Sequence, residues 1–380
     1  MNYKLLKEFC DINMGQSPDS KTYNEQGYGL PFYQGNADFG KIHPETRIWC
    51  SAPVKKAEVG DILITVRAPI GAMNIANEKC CIGRGVAALT PKEECDKKYL
   101  YYALESKVKD LMLQGTGSTF KAINKKILEQ THIPQYDINK QRYVANILGK
   151  VDLLIDKKQQ QIEQISELVK SRFIEMFGDM KLNKRGWKLK SFEELTYLIT
   201  DGEHATPKRT DKGIYLLSAR NILNHSLQLK DVDYINEKEY DRIAKRIIPQ
   251  EGDILISCSG TVGRCCSVPS GFHFQMVRSV ALIRFKEYIN PIFAEYMITS
   301  DYLQEQINSS KTVSSQANLF QGKIRTLKGF VPPIEMQNEF SVFVHKIDKS
   351  KYYNFTSYKY CVLAAKLIRQ EWMLCQTLSF

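Results

Sequence analysis

Gly60-Asp61-Ile62-Leu63-Ile64 recurs unchanged as Gly252-Asp253-Ile254-Leu255-Ile256, an offset of 252 − 60 = 192. In each, a Gly-Asp turn leads into an apolar, β-branched run, the mark of a buried strand entered from a turn. Working outward, Ile70-Gly71 is answered by Val262-Gly263, and Arg84-Gly85-Val86-Ala87 by Arg278-Ser279-Val280-Ala281. Upstream, Gly35-Asn36 answers Ala219-Arg220-Asn221, each after a short apolar run that opens behind Gly29 or Gly213. Downstream, Lys126-Ile127, Ile133-Pro134 and Gln141 answer Lys323-Ile324, Val331-Pro332 and Gln337. The offset drifts from about 185 to 198 while the order is kept. One shared pentapeptide is conceivable by chance, but five matches in order require duplication. A period this long makes each copy a domain rather than a stacking unit.

Within each copy the texture changes once. Short strand-like runs separated by Gly, Pro and Asn give way, between Ile138 and Phe177, to a stretch with no Pro and no Gly except Gly149. This predicts a long helix that ends at Gly178, where glycine suits a C-cap. Val151, Ile155, Ile162, Ile165, Val169 and Met176 recur at spacings of three and four, with Lys158 and Arg172 in the two remaining seam positions. The residues between them are polar, so the helix is expected to protrude and pair with another. Its expected partner is Gln337–Trp372, with Phe340, Phe343, Val344, Ile347, Val362, Ala365 and Ile368 as the facing seam and a polar, tyrosine-rich centre. Two such helices from duplicated halves should lie antiparallel, with about 60 Å as an upper bound on the spacing they set.

The fold class expected is α+β: two duplicated α/β domains separated by two long antiparallel coiled-coil helices, with pseudo-twofold symmetry. Residues 1–136 form the first domain, 137–179 the central helix, 180–334 the second domain and 335–380 the distal helix. The linker after the central helix carries Lys181, Lys184, Arg185, Lys188 and Lys190 with no acidic residue from Met180 to Phe192. It is either a solvated connector or a phosphate contact.

Charge and missing motifs narrow the function. Lys and Arg number 53 against 42 Asp and Glu, a formal charge of +11, which suits a polyanionic partner. No Gly-Lys pair is followed by the hydroxyl of a nucleotide-binding loop: Gly40-Lys41, Gly149-Lys150 and Gly322-Lys323 precede Ile, Val and Ile. The one Pro-Pro, in Val331-Pro332-Pro333-Ile334, has the wrong flanks for an amino-methyltransferase, and Asp96-Lys97-Lys98 matches a nuclease only trivially. The ten cysteines include no C-x-x-C, so free thiols are expected rather than zinc or disulfides, and no cofactor or metal is expected. The segment Met1–Glu8 has no apolar core of a leader and no run of about 18 uncharged apolar residues occurs, so the expected location is the cytoplasm.

These features resemble the specificity subunits of type I restriction-modification systems over nearly the whole chain. The stretches that carry the likeness are Gly15-Gln16-Ser17-Pro18, Leu30–Asn36, Gly60–Ile64 and Gly117–Ile123 in the first copy. In the second they are Asp201–Pro207, Ser218–Ile222, Ser315–Leu319, Val331–Pro333 and Gln337. The resemblance implies a non-catalytic, DNA-binding subunit whose two target-recognition domains each read one half of a split double-stranded DNA target. It also implies that the paired helices dock two methyltransferase subunits, with translocase-nuclease subunits joining for cleavage and no membrane involved. The aromatic-rich distal helix and its tail, Leu374–Phe380, depart from that pattern. A protein- or RNA-binding scaffold outside restriction-modification is the alternative left by the residues.

Candidate DNA contacts lie on turn-flanked segments. They are Lys21, Gln34, Asn36, Arg67, Ser118, Thr119 and Lys121, then Lys208, Arg209, Ser218, Arg220, Asn221, Thr261, Arg264 and Gln316. Asn and Gln match adenine edges and Arg guanine, while Lys holds phosphate. Asn36, Asn221 and Gln316 serve equally well as turn stabilisers. Arg84 and Arg278, being repeated, read as scaffold.

Overall fold

The structure, a computed structural model, describes residues 2–117, 121–310 and 318–374. The chain divides into two compact units, residues 1–159 with 355–380 and residues 160–354. Each contains one copy of the repeat, and the copies share one plan.

In the first unit a four-stranded antiparallel sheet has the order Cys10–Met14, Val86–Pro91, Ile62–Thr65, Met73–Ile75. In the second the order is Thr196–Asp201, Val280–Phe285, Ile254–Ser257, Cys265–Ser267. The repeated pentapeptide is thus the entry to an inner strand, and its lack of polar alternation has a direct cause. Ile62 and Ile64 pack with Tyr99, Leu100 and Ala103 of the helix Lys97–Gln114, whereas Leu63 packs on the opposite face with Tyr33 and Ile82. Ile254 and Ile256 likewise face Phe293 and Met297 of the helix Pro291–Thr299, and Leu255 faces Leu217 and Phe274. A sheet covered on both faces needs apolar residues at successive positions. The second layer is a mixed sheet, five-stranded in the first copy and three-stranded in the second, in which Leu30–Tyr33 runs parallel to Cys80–Ile82, and Ile214–Leu217 parallel to Phe274–Met276.

Hydrogen bonds fix the register of the duplication more finely than residue matching. Asp61 accepts the N–H of Glu58 at 2.9 Å and Asp253 that of Gln250 at 2.8 Å, closing the same turn. Gly71 and Gly263, at φ of 91° and 92°, complete the turn after the strand, and a Cβ there would meet Val108 of the helix Lys97–Gln114 or Gln304 and Ile307 of the helix Asp301–Ser310. At the turn following Leu30–Tyr33, the residue matched to Asn221 is Asp38, not Asn36. Asp38 accepts the N–H of Gln34 at 2.7 Å, as Asn221 accepts that of Ser218 at 2.8 Å. Near the end of each copy, Thr131 donates to Leu128 O and Leu327 to Ile324 O, so Leu128 answers Ile324, and Pro134 answers Phe330 rather than Pro332. Position in a turn is set by hydrogen-bonding shape, which residues of different name can share.

The first long helix spans Ile138–Phe177 without a break, Gly149 lying beside the Tyr102 hydroxyl. It stops where Gly178, at φ 81°, donates to Ile174 O at 2.7 Å. The second spans Ile334–Arg369 and passes into a π-helical turn, Gln370–Leu374. Within the first unit they run antiparallel: the rings of Tyr143 and Trp372 lie 5.6 Å apart, and Asp152 pairs with Arg369 at 2.9 Å. Ile368 and Trp372 pack on the first unit's core. Within the second unit Val169, Phe173, Met176 and Phe177 are buried with Phe340 and Val344, with Phe343 and Ile347 at the margin. Arg172 explains how a charge occupies a seam position: it pairs with Glu339 at 3.0 Å and lies over the Phe343 ring. Val151, Ile155, Lys158, Ile162 and Ile165 are half-buried. Among the described residues no helix is long and apolar enough to cross a membrane.

Candidate nucleic-acid interface

Three loops are tied side by side at the same edge of each copy. The central one is a tight turn, Gly83–Val86 or Val277–Val280, closed by Val86 donating to Gly83 O at 3.0 Å and Val280 to Val277 O at 2.9 Å. On one side, Gly15 donates to Val86 O and Gly202 to Val280 O, both at 2.9 Å. Only glycine fits there, because a Cβ would sit 2.2 Å from Gly83 O in the first copy and 2.4 Å from Met276 O in the second. On the other side Val66 donates to Gly85 O at 2.9 Å, and Cys258 to Ser279 O at 2.8 Å.

The loop after the pentapeptide strand is itself braced by a hydroxyl. Thr65 Oγ1 donates to Pro69 O at 2.6 Å and accepts the Ala72 N–H at 2.9 Å. Ser257 Oγ donates to Thr261 O at 2.7 Å and accepts the Arg264 N–H at 3.0 Å. A loop held by its own backbone is free to present side chains outward, which is how a fixed scaffold carries variable recognition groups.

In the first copy this edge brings together Gln34, Asn36, Arg67 and Lys121. Gln34 O packs against Gly85, Asn36 opens the short turn Asn36–Asp38, and Arg67 is bridged to Ala122 beside the Ala68 N–H bond to Lys121 O. All four are exposed, and among the described residues their side chains make no hydrogen bond or ion pair. Lys21 stands apart on the turn Ser20–Thr22, anchored through Thr22 O to Ser51. Ser118 and Thr119 lie outside the described residues, as does Gln316 in the second copy.

The second copy differs. Asn221 is 1% exposed; its carbonyl accepts from Ser218 and its amide donates to Gln228 O at 2.9 Å, so it braces the turn from a buried position out of reach of a base. Ser218 is engaged in the same turn. Arg209 and Arg220 converge on one carboxylate, each 3.0 Å from an oxygen of Asp233. Both remain exposed with unused N–H groups on their forks. Lys208 is exposed beside Glu239, whose carboxyl Arg242 holds below the usual range. Thr261 is exposed and Arg264 half-buried on the braced loop, the arginine side chain carrying no hydrogen bond or ion pair among the described residues.

Arg84 and Arg278, whose repetition marks them as scaffold in the sequence, are exposed in the middle of this edge. Their backbone N–H groups are used, by Ser17 Oγ and Glu203 O, but their guanidinium groups have no hydrogen bond or ion pair among the described residues. Burial raises the Tyr23 hydroxyl above its ordinary value, with the positive charge of Arg84 pulling the other way. Their retention in two otherwise diverged copies was the signal available in the sequence.

The basic linker is mostly satisfied internally: Lys181 pairs with Glu305, Arg185 donates to Glu175 O at 2.7 Å, and Lys190 lies over the Tyr288 ring. Lys184 and Lys188 are left exposed. Among the described residues all nine cysteines are free, and no three His, Cys, Asp or Glu side chains gather as a metal ion would require.

Comparison with known proteins gives the family. The family model "Type I restriction modification DNA specificity domain" matches the chain twice, over residues 1–167 and 184–353. A Methanocaldococcus jannaschii protein, provisionally named type I restriction enzyme MjaX specificity subunit, is 42% identical over 165 residues. That match covers 43% of this chain and only 39% of the relative's length. The type I restriction enzyme MjaIX specificity subunit of the same organism is 27% identical over 319 residues, 74% of this chain and 71% of the relative. In fold, the crystal structure of the type I restriction-modification system S subunit from M. genitalium superposes with a TM-score of 0.62 at 15% identity, covering 99% of this chain and 96% of that one. With the family model matched in both copies and a fold shared along its length, the chain belongs to the type I restriction-modification DNA specificity family.

Proposed function

We propose that this chain is the non-catalytic specificity subunit of a type I restriction-modification complex, each copy of the repeat reading one half of a split duplex DNA target. The observation that carries this is the duplicated loop edge. The same three hydrogen-bonded loops occur in each copy, with exposed, mostly unpaired basic and amide side chains that differ between the copies. An identical frame with different outward residues suits two readers of two different half-sites. Family membership supports the same role.

The partners proposed are two methyltransferase subunits on the long helices, with translocase-nuclease subunits joining for cleavage. Apolar residues that face away from the seams favour such docking: Leu153, Leu154, Leu363 and Leu367 in the first unit, and Leu168 and Ile174 in the second, are all about half exposed. A DNA-reading role puts the chain in the cytoplasm. The domain boundaries proposed are the repeat copies 1–136 and 180–334, with the helices between and after them. A gel shift on duplex DNA, with and without a co-expressed methyltransferase partner, tests the function. The complex should bind duplexes carrying a split motif far more tightly than random duplexes, and equal binding to both would reject sequence reading.

A further inference from the structure

We propose that Arg84 and Arg278 are the paired phosphate anchors of the two copies, seating each domain on the DNA backbone without reading its sequence. This rests on the DNA-reading function above and assigns a role to two residues within it.

The turn that carries each arginine asks nothing of its side chain. Both arginines occupy the second position of a four-residue turn whose closing bond, flanking glycine and neighbouring loop are the same in the two copies. The bonds that close and flank the turn run between backbone groups, with serine hydroxyls added at Ser17 and Ser279, and none of them uses the arginine side chain, so the frame constrains the arginine's N–H and not its guanidinium. The neighbours on the turn have diverged, Gly83 to Val277 and Gly85 to Ser279, yet arginine stands at both places. An exposed guanidinium with no partner among the described residues adds nothing to packing, so its retention in both copies calls for a partner outside the chain.

The identity of that partner follows from the duplication. Two half-sites of a split target differ in sequence, and what they share is the sugar-phosphate backbone. A residue that is the same in both readers is therefore suited to the feature that is the same in both half-sites. The candidate base readers around it differ: Gln34 and Asn36 in one copy, Arg220 and Arg264 in the other. A planar five-donor fork grips a phosphate well, and such contacts fix register while leaving specificity to the base-edge groups.

The test uses the full chain assembled with its methyltransferase partner and compares Arg84→Ala, Arg278→Ala, Arg84→Lys and Arg278→Lys with wild type. Affinity for the target and for random duplex is measured over a range of salt, and the methylated motif is sequenced. Each alanine variant should bind about tenfold more weakly to target and random duplex alike. The slope of log K against log salt should flatten by about 0.9 for each phosphate no longer neutralised, with an unchanged motif. The lysine variants, which keep the charge, should retain most of the slope. A changed motif would make these residues base readers, and an unchanged affinity and slope would leave them with no role on the DNA. A lowered melting temperature in the alanine variants would make them scaffold. Each of those three results overturns the proposal. Failure of the wild-type complex to bind or methylate any motif would instead reject the DNA-reading function itself.

Discussion

The side-chain carbonyl of Gln337 accepts the backbone N–H of Asn290 at 2.9 Å, and Gln141 does the same for Asp96 at 2.8 Å. Asn290 and Asp96 are the N-caps of the helices that cover the two central sheets. Each glutamine sits in the first turn of a long helix, and its amide also donates to two carbonyls: Tyr288 and Pro332 for Gln337, Glu94 and Tyr136 for Gln141. One side chain thus welds each long helix to its domain.

Gln337→Ala and Gln141→Ala should each destabilise the unit that carries them by about 2–4 kcal/mol, because buried donors and acceptors lose partners together. The residues are 0% and 2% exposed, so water cannot readily substitute. Denaturant unfolding of the full chain measures this; a loss below about 0.5 kcal/mol would show that the glutamines do not hold the helices in place.

Arg284 grips Asp253 with two bonds of 2.7 Å, and the carboxylate raises the arginine's pKa above its ordinary value. Asp61, at the same place in the first copy, holds only its turn, the arginine's counterpart there being Thr90. Arg284→Ala should therefore cost about 2 kcal/mol, reduced from a fully buried pair by the partial exposure of the arginine. Thr90→Ala, its counterpart in the first copy, should cost much less. Equal effects in the two copies would show that the ion pair does not stabilise the turn.

The thiols should be nearly inert. Burial pushes Cys10, Cys80, Cys81, Cys95 and Cys258 up to about 12 from an ordinary value of 9.0, so at about pH 8 they are protonated and shielded. Of the nine described cysteines, half-buried Cys361 should alkylate fastest, the other eight only after unfolding. Mass spectrometry of peptides after brief labelling checks this, and fast labelling of Cys258 would contradict the packing described.

What the sequence could and could not show divides along physical lines. Gly60–Ile64 was legible because a strand covered on both faces must be continuously apolar, and Ile70-Gly71 because the left-handed turn beneath a helix admits little but glycine. Asp38 was missed as the counterpart of Asn221, since both merely present an oxygen to a turn and the chemical names differ. Phe173 and Phe177 of the first long helix pack edge-on against Phe340 of the second, yet Phe173 and Phe177 lie beside the three-four seam rather than on it. The Asp233 bridge between Arg209 and Arg220 joins residues from separate turns and a strand, a proximity no local pattern encodes. Among the candidate contacts, the arginines and amides of the loop edge were reachable from turn chemistry, while Asn221 required knowledge of its burial.

Arg220 and Arg264 should specify bases in one half-site. Arg220→Ala and Arg264→Ala are each expected to lose about 1–3 kcal/mol of discrimination at one position of the second copy's half-site, leaving the other half unchanged. Competition binding against single-base variants of the target measures this. Unchanged affinity and unchanged target in both variants would remove that loop face from the interface.

That two independent readers are carried on one chain is tested most directly by sequencing the methylated motif after residues 1–136 are replaced with the matching domain of a relative. Independent reading predicts a motif in which one half-site is new and the other is identical to that of the parent. Alteration of both halves by this single replacement would contradict it, because the two copies would then be reading their target jointly.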